Sequence, residues 1–155
     1  MENRAAARQI FEIASLLETQ GANPYRVRAY RRAALGLLYL PTRADQYTTE
    51  TGELDLPWLG QRLRRKLGEL VTRGRMDSRE NLVAQFPRAF RELLSVPGIG
   101  PKTATRLIED LGIRSVAGLA RAARAHRLRQ VYWIGPERER RLGLAAEAQL
   151  KQAAA

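Results

Sequence analysis

Apolar positions recur at helical spacing along most of the chain, and nowhere do they alternate with period two for long enough to make a strand. Residues 3–20 carry a stripe of Ile10, Ile13, Leu16 and Leu17, with Ala5, Ala6 and Phe11 alongside, and Gly21 follows as a stop. Asn23-Pro24 then reads as an N-cap and first-turn proline for a helix over 24–39, whose apolar contacts are Val27, Ala34, Leu35, Leu38 and Leu40. Pro41 ends it. Residues 41–55 are polar and predict a loop with at most one helical turn. Further helices are expected near 79–85, 88–94 and 115–125, and from Pro136 to about Leu150. The pattern predicts an all-α protein of nine to eleven short helices.

One stretch organises the rest. In Leu94-Ser95-Val96-Pro97-Gly98-Ile99-Gly100-Pro101-Lys102-Thr103-Ala104 two glycines bracket one apolar residue, and Pro101 takes a first-turn position. Ala104, Leu107, Ile108 and Leu111 then repeat at i, i+3, i+4, i+7 as one helix face. A glycine turn feeding a helix N-terminus offers unpaired N–H groups and a positive dipole end to an anion, and Lys102 adds charge beside it. This string resembles a helix-hairpin-helix motif, which holds the nucleic-acid backbone through turn amides without reading sequence. Leu56-Pro57-Trp58-Leu59-Gly60 echoes it 40 residues upstream, and Val131-Tyr132-Trp133-Ile134-Gly135 echoes it 35 residues downstream. In both echoes Trp stands where the central turn has its first glycine. Such a repeat predicts duplicated two-helix units.

Composition sharpens this picture. The net charge is +11, which points to a polyanionic partner. Of the 27 basic residues only Lys66, Lys102 and Lys151 are lysines, and arginine makes bidentate contacts to phosphate. The helix over 24–39 interleaves Arg26, Arg28, Arg31 and Arg32 with Tyr25 and Tyr30, a surface suited to nucleic acid. There is no Cys, hence no disulfide framework and no thiolate metal site. No apolar run reaches membrane-spanning length, and the first residues lack the h-region of a signal peptide, so a cytoplasmic, nucleoid location is expected.

The run Gly21-Ala22-Asn23-Pro24-Tyr25-Arg26-Val27-Arg28-Ala29-Tyr30-Arg31-Arg32-Ala33-Ala34, followed by the three hairpin strings, resembles the N-terminal region of bacterial and archaeal family X DNA polymerases over almost the whole chain. The resemblance implies a lyase-like helical domain over 1–80 with a degenerate first hairpin. It implies a second helix-hairpin-helix domain over 81–155 with a degenerate third. No carboxylate cluster for a two-metal nucleotidyl-transfer centre is seen, and no His-rich phosphoesterase module, so polymerase activity is not expected of these residues. The lone histidine, His126, reads as a surface residue. In the central hairpin the resemblance implies that the amides of Gly98, Gly100, Lys102 and Thr103 face phosphates. The carbonyls of Leu94, Val96 and Ile99 would hold a monovalent cation, K⁺ or Na⁺.

In the related lyase domains a lysine after the first hairpin attacks C1′ of a 5′-deoxyribose phosphate, and the resemblance places Lys66 at that position with Tyr30 lining the pocket. Gly60, Arg62, Arg65, Arg26, Arg28 and Arg31 would hold phosphate. Trp58 departs from the family pattern at the turn, and Arg65 stands in place of an acidic neighbour. Lys66 therefore has two readings, a phosphate-facing basic residue or a Schiff-base nucleophile, since only an amine that can lose its proton adds to an aldehyde. Trp58 and Trp133 likewise read either as fillers between helical units or as stacking rings. The expected function is sequence-independent binding of gapped, nicked or 5′-phosphate DNA in repair, alongside a repair polymerase or nuclease. The alternatives are a deoxyribose-phosphate or abasic-site lyase, and an RNA- or protein-binding accessory module.

Overall fold

The structure, a computed structural model, describes all 155 residues, Met1–Ala155, and they form two compact units, Met1–Val83 and Ala84–Ala155. Eight α-helices and two 3-10 turns account for the regular structure, with a single isolated antiparallel bridge between Thr48 and Leu54. No helix is long and apolar enough to cross a membrane.

In the first unit, α1 (Asn3–Thr19) and α2 (Pro24–Leu38) pack side by side. Ala6, Ala7, Ala14, Ala33 and Ala34 are fully or almost fully buried, and such small side chains let two helix backbones approach closely. Ile10, Leu16, Leu17 and Leu37 fill the remaining core. Asn23 caps α2 as its sequence predicts, accepting the Tyr25 N–H at 2.9 Å. The segment after α2 is less simple than a polar loop. Asn3 pins it to α1, donating to the Thr42 carbonyl at 2.8 Å and accepting the Ala44 N–H at 2.8 Å. A 3-10 turn at Ala44–Tyr47 follows, and Gly52 at φ +81° turns the chain back through the Thr48–Leu54 bridge. The Gly52 carbonyl then lies so close to Gly68 that a Cβ there would strike it. Gly68 sits in α3 (Gln61–Arg73), and α4 (Asp77–Ala84) closes the unit through an Arg79–Glu12 ion pair at 2.6 Å.

The second unit contains α5 (Arg88–Leu94), α6 (Pro101–Leu111), α7 (Val116–Arg124), a 3-10 turn at Leu128–Gln130, and α8 (Pro136–Ala154). Leu93, Leu107, Leu119 and Leu128 are its solvent-free centre. Phe86 and Phe90 stack with ring centroids 4.4 Å apart. α7 and α8 pack tightly because Gly143 faces Ala123, where an added Cβ would come within 2.8 Å of the Ala123 methyl. α7 ends unusually. His126 takes the left-handed φ of +57° that glycine occupies after α3 and α6, while the His126 and Arg127 amides bond back to Ala123 and Ala122. α8 runs on to Ala154, past the expected end near Leu150, because its Gln-Ala-Ala tail favours helix.

Candidate nucleic-acid interface

The three hairpin strings fold alike. Each opens with a four-residue turn closed by one hydrogen bond: Leu59 N–H to the Leu56 carbonyl at 3.1 Å, Ile99 to Val96 at 3.1 Å, and Ile134 to Val131 at 2.9 Å. Each then uses its second glycine as the N-cap of the next helix, with Gly60, Gly100 and Gly135 in extended backbone. A Cβ at any of the three would meet nothing within 4 Å. These positions face open space, so something outside the chain can approach the backbone there.

Pro97, Gly98 and Lys102 are exposed, while Val96 and Ile99 beneath them are buried and hold the central turn in place. The amides of Gly98, Gly100, Lys102 and Thr103, the four singled out in the sequence, donate no hydrogen bond within the chain. They are the unpaired donors expected at a helix start, and no acidic residue stands in the first turn of α6. Gly98 has φ +91°, the third-position geometry of a type II turn. Trp58 and Trp133 occupy that place in the other hairpins without a positive φ, so their central peptide is turned over relative to the Gly98 one.

Two features near this turn are invisible in the sequence pattern. Arg138, in the first turn of α8, reaches the Gly98 carbonyl at 3.4 Å and the Thr103 hydroxyl at 3.2 Å. Trp133 Nε1 donates to the same hydroxyl at 3.3 Å, and the Arg106 guanidinium sits 6.0 Å from the Trp133 ring centre. The central and third hairpins are thus fastened through Thr103, whose side chain is buried even though its amide is unpaired. The Leu94 and Ile99 carbonyls accept no hydrogen bond, and the Val96 carbonyl accepts only the Ile99 N–H.

The third hairpin differs in charge. Glu137 and Glu139 lie in the first turn of α8. Glu139 is buried. Arg129 donates to its Oε1 through Nη2 at 2.7 Å and Nε at 3.0 Å, the Arg129 amide donates to Oε2 at 3.1 Å, and His126 Nδ1 lies 3.0 Å from Oε1. Burial pushes this carboxyl up, but the hydrogen bonds from Arg129 and His126 together outweigh it and hold it below its usual range. The His126 ring itself is mostly exposed.

In the first unit the structure brings Lys66 and Tyr30 together. Lys66 Nζ donates to the Tyr30 hydroxyl at 3.1 Å and lies 5.9 Å from its ring centre, with Lys66 half-buried and Tyr30 buried. Trp58 rests its ring on α2 at Gly36, where a Cβ would overlap it, and so is engaged in packing. Arg26 and Arg62 are exposed and make no ion pair. Arg28 lies over the Tyr25 ring at 4.6 Å. Arg31 is tied to Glu18 at 2.7 Å, and Arg65 lies 3.7 Å from Glu53. Arg64 donates to the Leu59 carbonyl at 3.2 Å and pairs with Asp55.

Comparison with known proteins agrees with this architecture. Residues 1–76 match the family described as a helix-hairpin-helix domain, and residues 90–148 match the SAM-like helix-hairpin-helix tandem. The DNA polymerase/3′-5′ exonuclease PolX of Bacillus subtilis (strain 168) is 25% identical over 143 residues, 92% of this chain and 24% of that protein. The Holliday junction branch migration complex subunit RuvA of Acidovorax sp. (strain JS42) is 36% identical over 67 residues, 43% of this chain and 35% of that subunit. The same subunit from Acidovorax ebreus (strain TPSY) matches equally. The chain therefore spans about a quarter of the length of PolX and about a third of RuvA. One helix-hairpin-helix match falls in each unit and likeness to PolX runs along nearly the whole length, so the chain resembles the N-terminal region of family X DNA polymerases.

Proposed function

We propose that the chain binds DNA without regard to sequence, gripping the sugar-phosphate backbone through the central hairpin. The observation that carries this reading is the group of four unpaired amides at Gly98, Gly100, Lys102 and Thr103 around an exposed turn with no Cβ at Gly100. The helix-hairpin-helix matches and the names of PolX and RuvA support DNA as the polyanion. The net charge of +11 supports it too. The finer reading is a preference for gapped, nicked or 5′-phosphate DNA, in the nucleoid and beside a repair polymerase or nuclease. A K⁺ or Na⁺ ion on the Leu94, Val96 and Ile99 carbonyls would supply positive charge next to a phosphate. Titration of gapped, nicked, single-stranded and intact DNA at two salt concentrations tests the reading. Affinity should fall steeply with salt and be alike across sequences of one structure. Binding confined to one sequence, or equal binding of a structured RNA in competition, overturns it.

A second reading attaches to the first hairpin, because Lys66 Nζ meets Tyr30 in a half-buried setting beside unpaired arginines. As a lyase, Lys66 would add to C1′ of an abasic deoxyribose, water would leave as the imine forms, and loss of the C2′ proton would expel the 3′-phosphate. Borohydride treatment with an abasic substrate decides it. A covalent adduct that disappears in Lys66→Ala supports the enzyme, and no adduct in the unaltered chain removes it.

A further inference from the structure

The second unit contains two concavities that share one helix and differ in charge. One, of about 440 Å³, is lined by Arg124, Arg129 and Arg140 and by Glu137, Glu139 and Glu147. Its three arginines are matched one to one: Arg124 to Glu147 at 3.6 Å, Arg129 to Glu139 at 2.7 Å, Arg140 to Glu137 at 2.8 Å. The other, of about 390 Å³, lies where α6 hands over to α7. Its wall includes Arg114, Arg121 and Arg127, and no carboxylate. None of the three side chains makes an ion pair or hydrogen bond, although each residue is exposed.

Like charges gathered without a counter-charge repel, and other features of this concavity add to the positive field. The α7 N-terminus opens into the same wall through Ser115 and Gly118. No acidic residue stands in its first turn, and the Val116 and Ala117 amides donate to nothing. The Arg121 guanidinium lies back over this helix start, its Nη2 3.8 Å from where a Gly118 Cβ would be.

We propose that this concavity is a second phosphate site, taking an internal backbone phosphate of the DNA that the central hairpin holds elsewhere. The inference rests on the DNA-binding reading above. A planar guanidinium suits a phosphate's paired oxygens, and three of them around an acid-free concavity favour an anion over a cation. The two sites cannot share a phosphate. α6 separates them, and from Gly100 to Gly112 a helix rises about 18 Å. The second site therefore adds a contact and gives the complex a fixed direction on the backbone.

The test uses duplex DNA with 5′-hydroxyl ends, so that every phosphate is internal. The triple variant Arg114→Gln, Arg121→Gln, Arg127→Gln is compared with Arg88→Gln, Arg91→Gln, Arg141→Gln, which removes the same charge from exposed, unpaired arginines outside the concavity. The concavity variant should bind about tenfold more weakly than the control, with a salt slope shallower by about 0.9. In parallel, inorganic phosphate should shift the Val116 and Ala117 amide resonances saturably, and this should vanish in the concavity variant. Equal affinities and slopes for the two triples overturn the proposal, as does the absence of phosphate-dependent shifts. If Gly100→Val still weakens binding in that case, the DNA-binding reading survives. If Gly100→Val changes nothing, that reading fails by itself.

Discussion

The first and central hairpins close alike and differ in what fills one position. Both close their turn with the same hydrogen bond and start the following helix on a glycine whose side-chain space is empty. Where the central hairpin has Gly98 at φ +91°, the first has Trp58, whose ring leaves the turn and covers Gly36 of α2. The first hairpin uses its turn to anchor a helix. The central one leaves its turn bare. The side chains beside each differ too: a half-buried amine on a tyrosine hydroxyl in the first, Lys102 and Arg138 in the central. One fold thus supplies an anchor and, on the DNA-binding proposal, a grip, and the third-place residue of the turn separates them.

Removing the anchor should have the largest effect. Trp58→Ala should destabilise the first unit by about 3 kcal/mol, read by thermal unfolding, because it empties the space over Gly36. Trp133→Ala, whose ring is partly exposed, should cost the second unit distinctly less. Equal costs would erase the distinction between anchor and grip. Next comes the grip. Gly100→Val should weaken DNA binding about thirtyfold, close to 2 kcal/mol, with a smaller effect on unfolding, since a Cβ there meets nothing in the chain and only the N-cap preference of glycine is lost. The same change at Gly60 should weaken binding less, because the neighbouring peptide is turned over. A larger loss at Gly60 would reverse the ranking. Gly36→Ala comes third. Helix propensity alone would make it stabilising by about 1 kcal/mol. Overlap with the Trp58 ring should instead make it destabilising by about 1–2 kcal/mol, and Trp58→Ala should relieve that.

The elements most legible in the sequence were those set by local rules. Asn23-Pro24 placed the start of α2, and the spacing of Val96-Pro97-Gly98-Ile99-Gly100 located all three turns because each needs only its own residues. What escaped depends on partners far along the chain. The loop over 41–55 reads as polar, yet it is shaped by the contact of Gly52 with Gly68 and by the ties from Asn3, none of which leaves a periodic trace. Gly36 looks like a weak point in a helix until Trp58 is seen on it. Arg138 is one more arginine among many, and only the packing of α8 brings it to the Gly98 carbonyl. Lys66 and Tyr30 lie 36 positions apart and meet only through folding; family resemblance, not spacing, paired them.

The third hairpin completes the comparison, because two acidic residues, Glu137 and Glu139, stand in the first turn of its helix. Glu139 spends its charge on Arg129 and His126, which precede α8 in the chain. Its carboxyl titrates below the ordinary value of 4.5, so the charged form is favoured by folding. The stability it contributes is present above that value and is lost as pH falls through the lower folded one. Asp45 and Glu137, held down by Arg43 and Arg140 on the surface, act in the same direction, so acid sensitivity alone does not isolate Glu139. Glu139→Gln does. The variant should be less stable than the unaltered chain by about 1 kcal/mol at pH 7, and the gap should close as the pH is taken down towards 3. DNA affinity at pH 7 should hardly change, because the carboxylate faces inward. A marked change in DNA binding would mean that this helix end belongs to the grip after all.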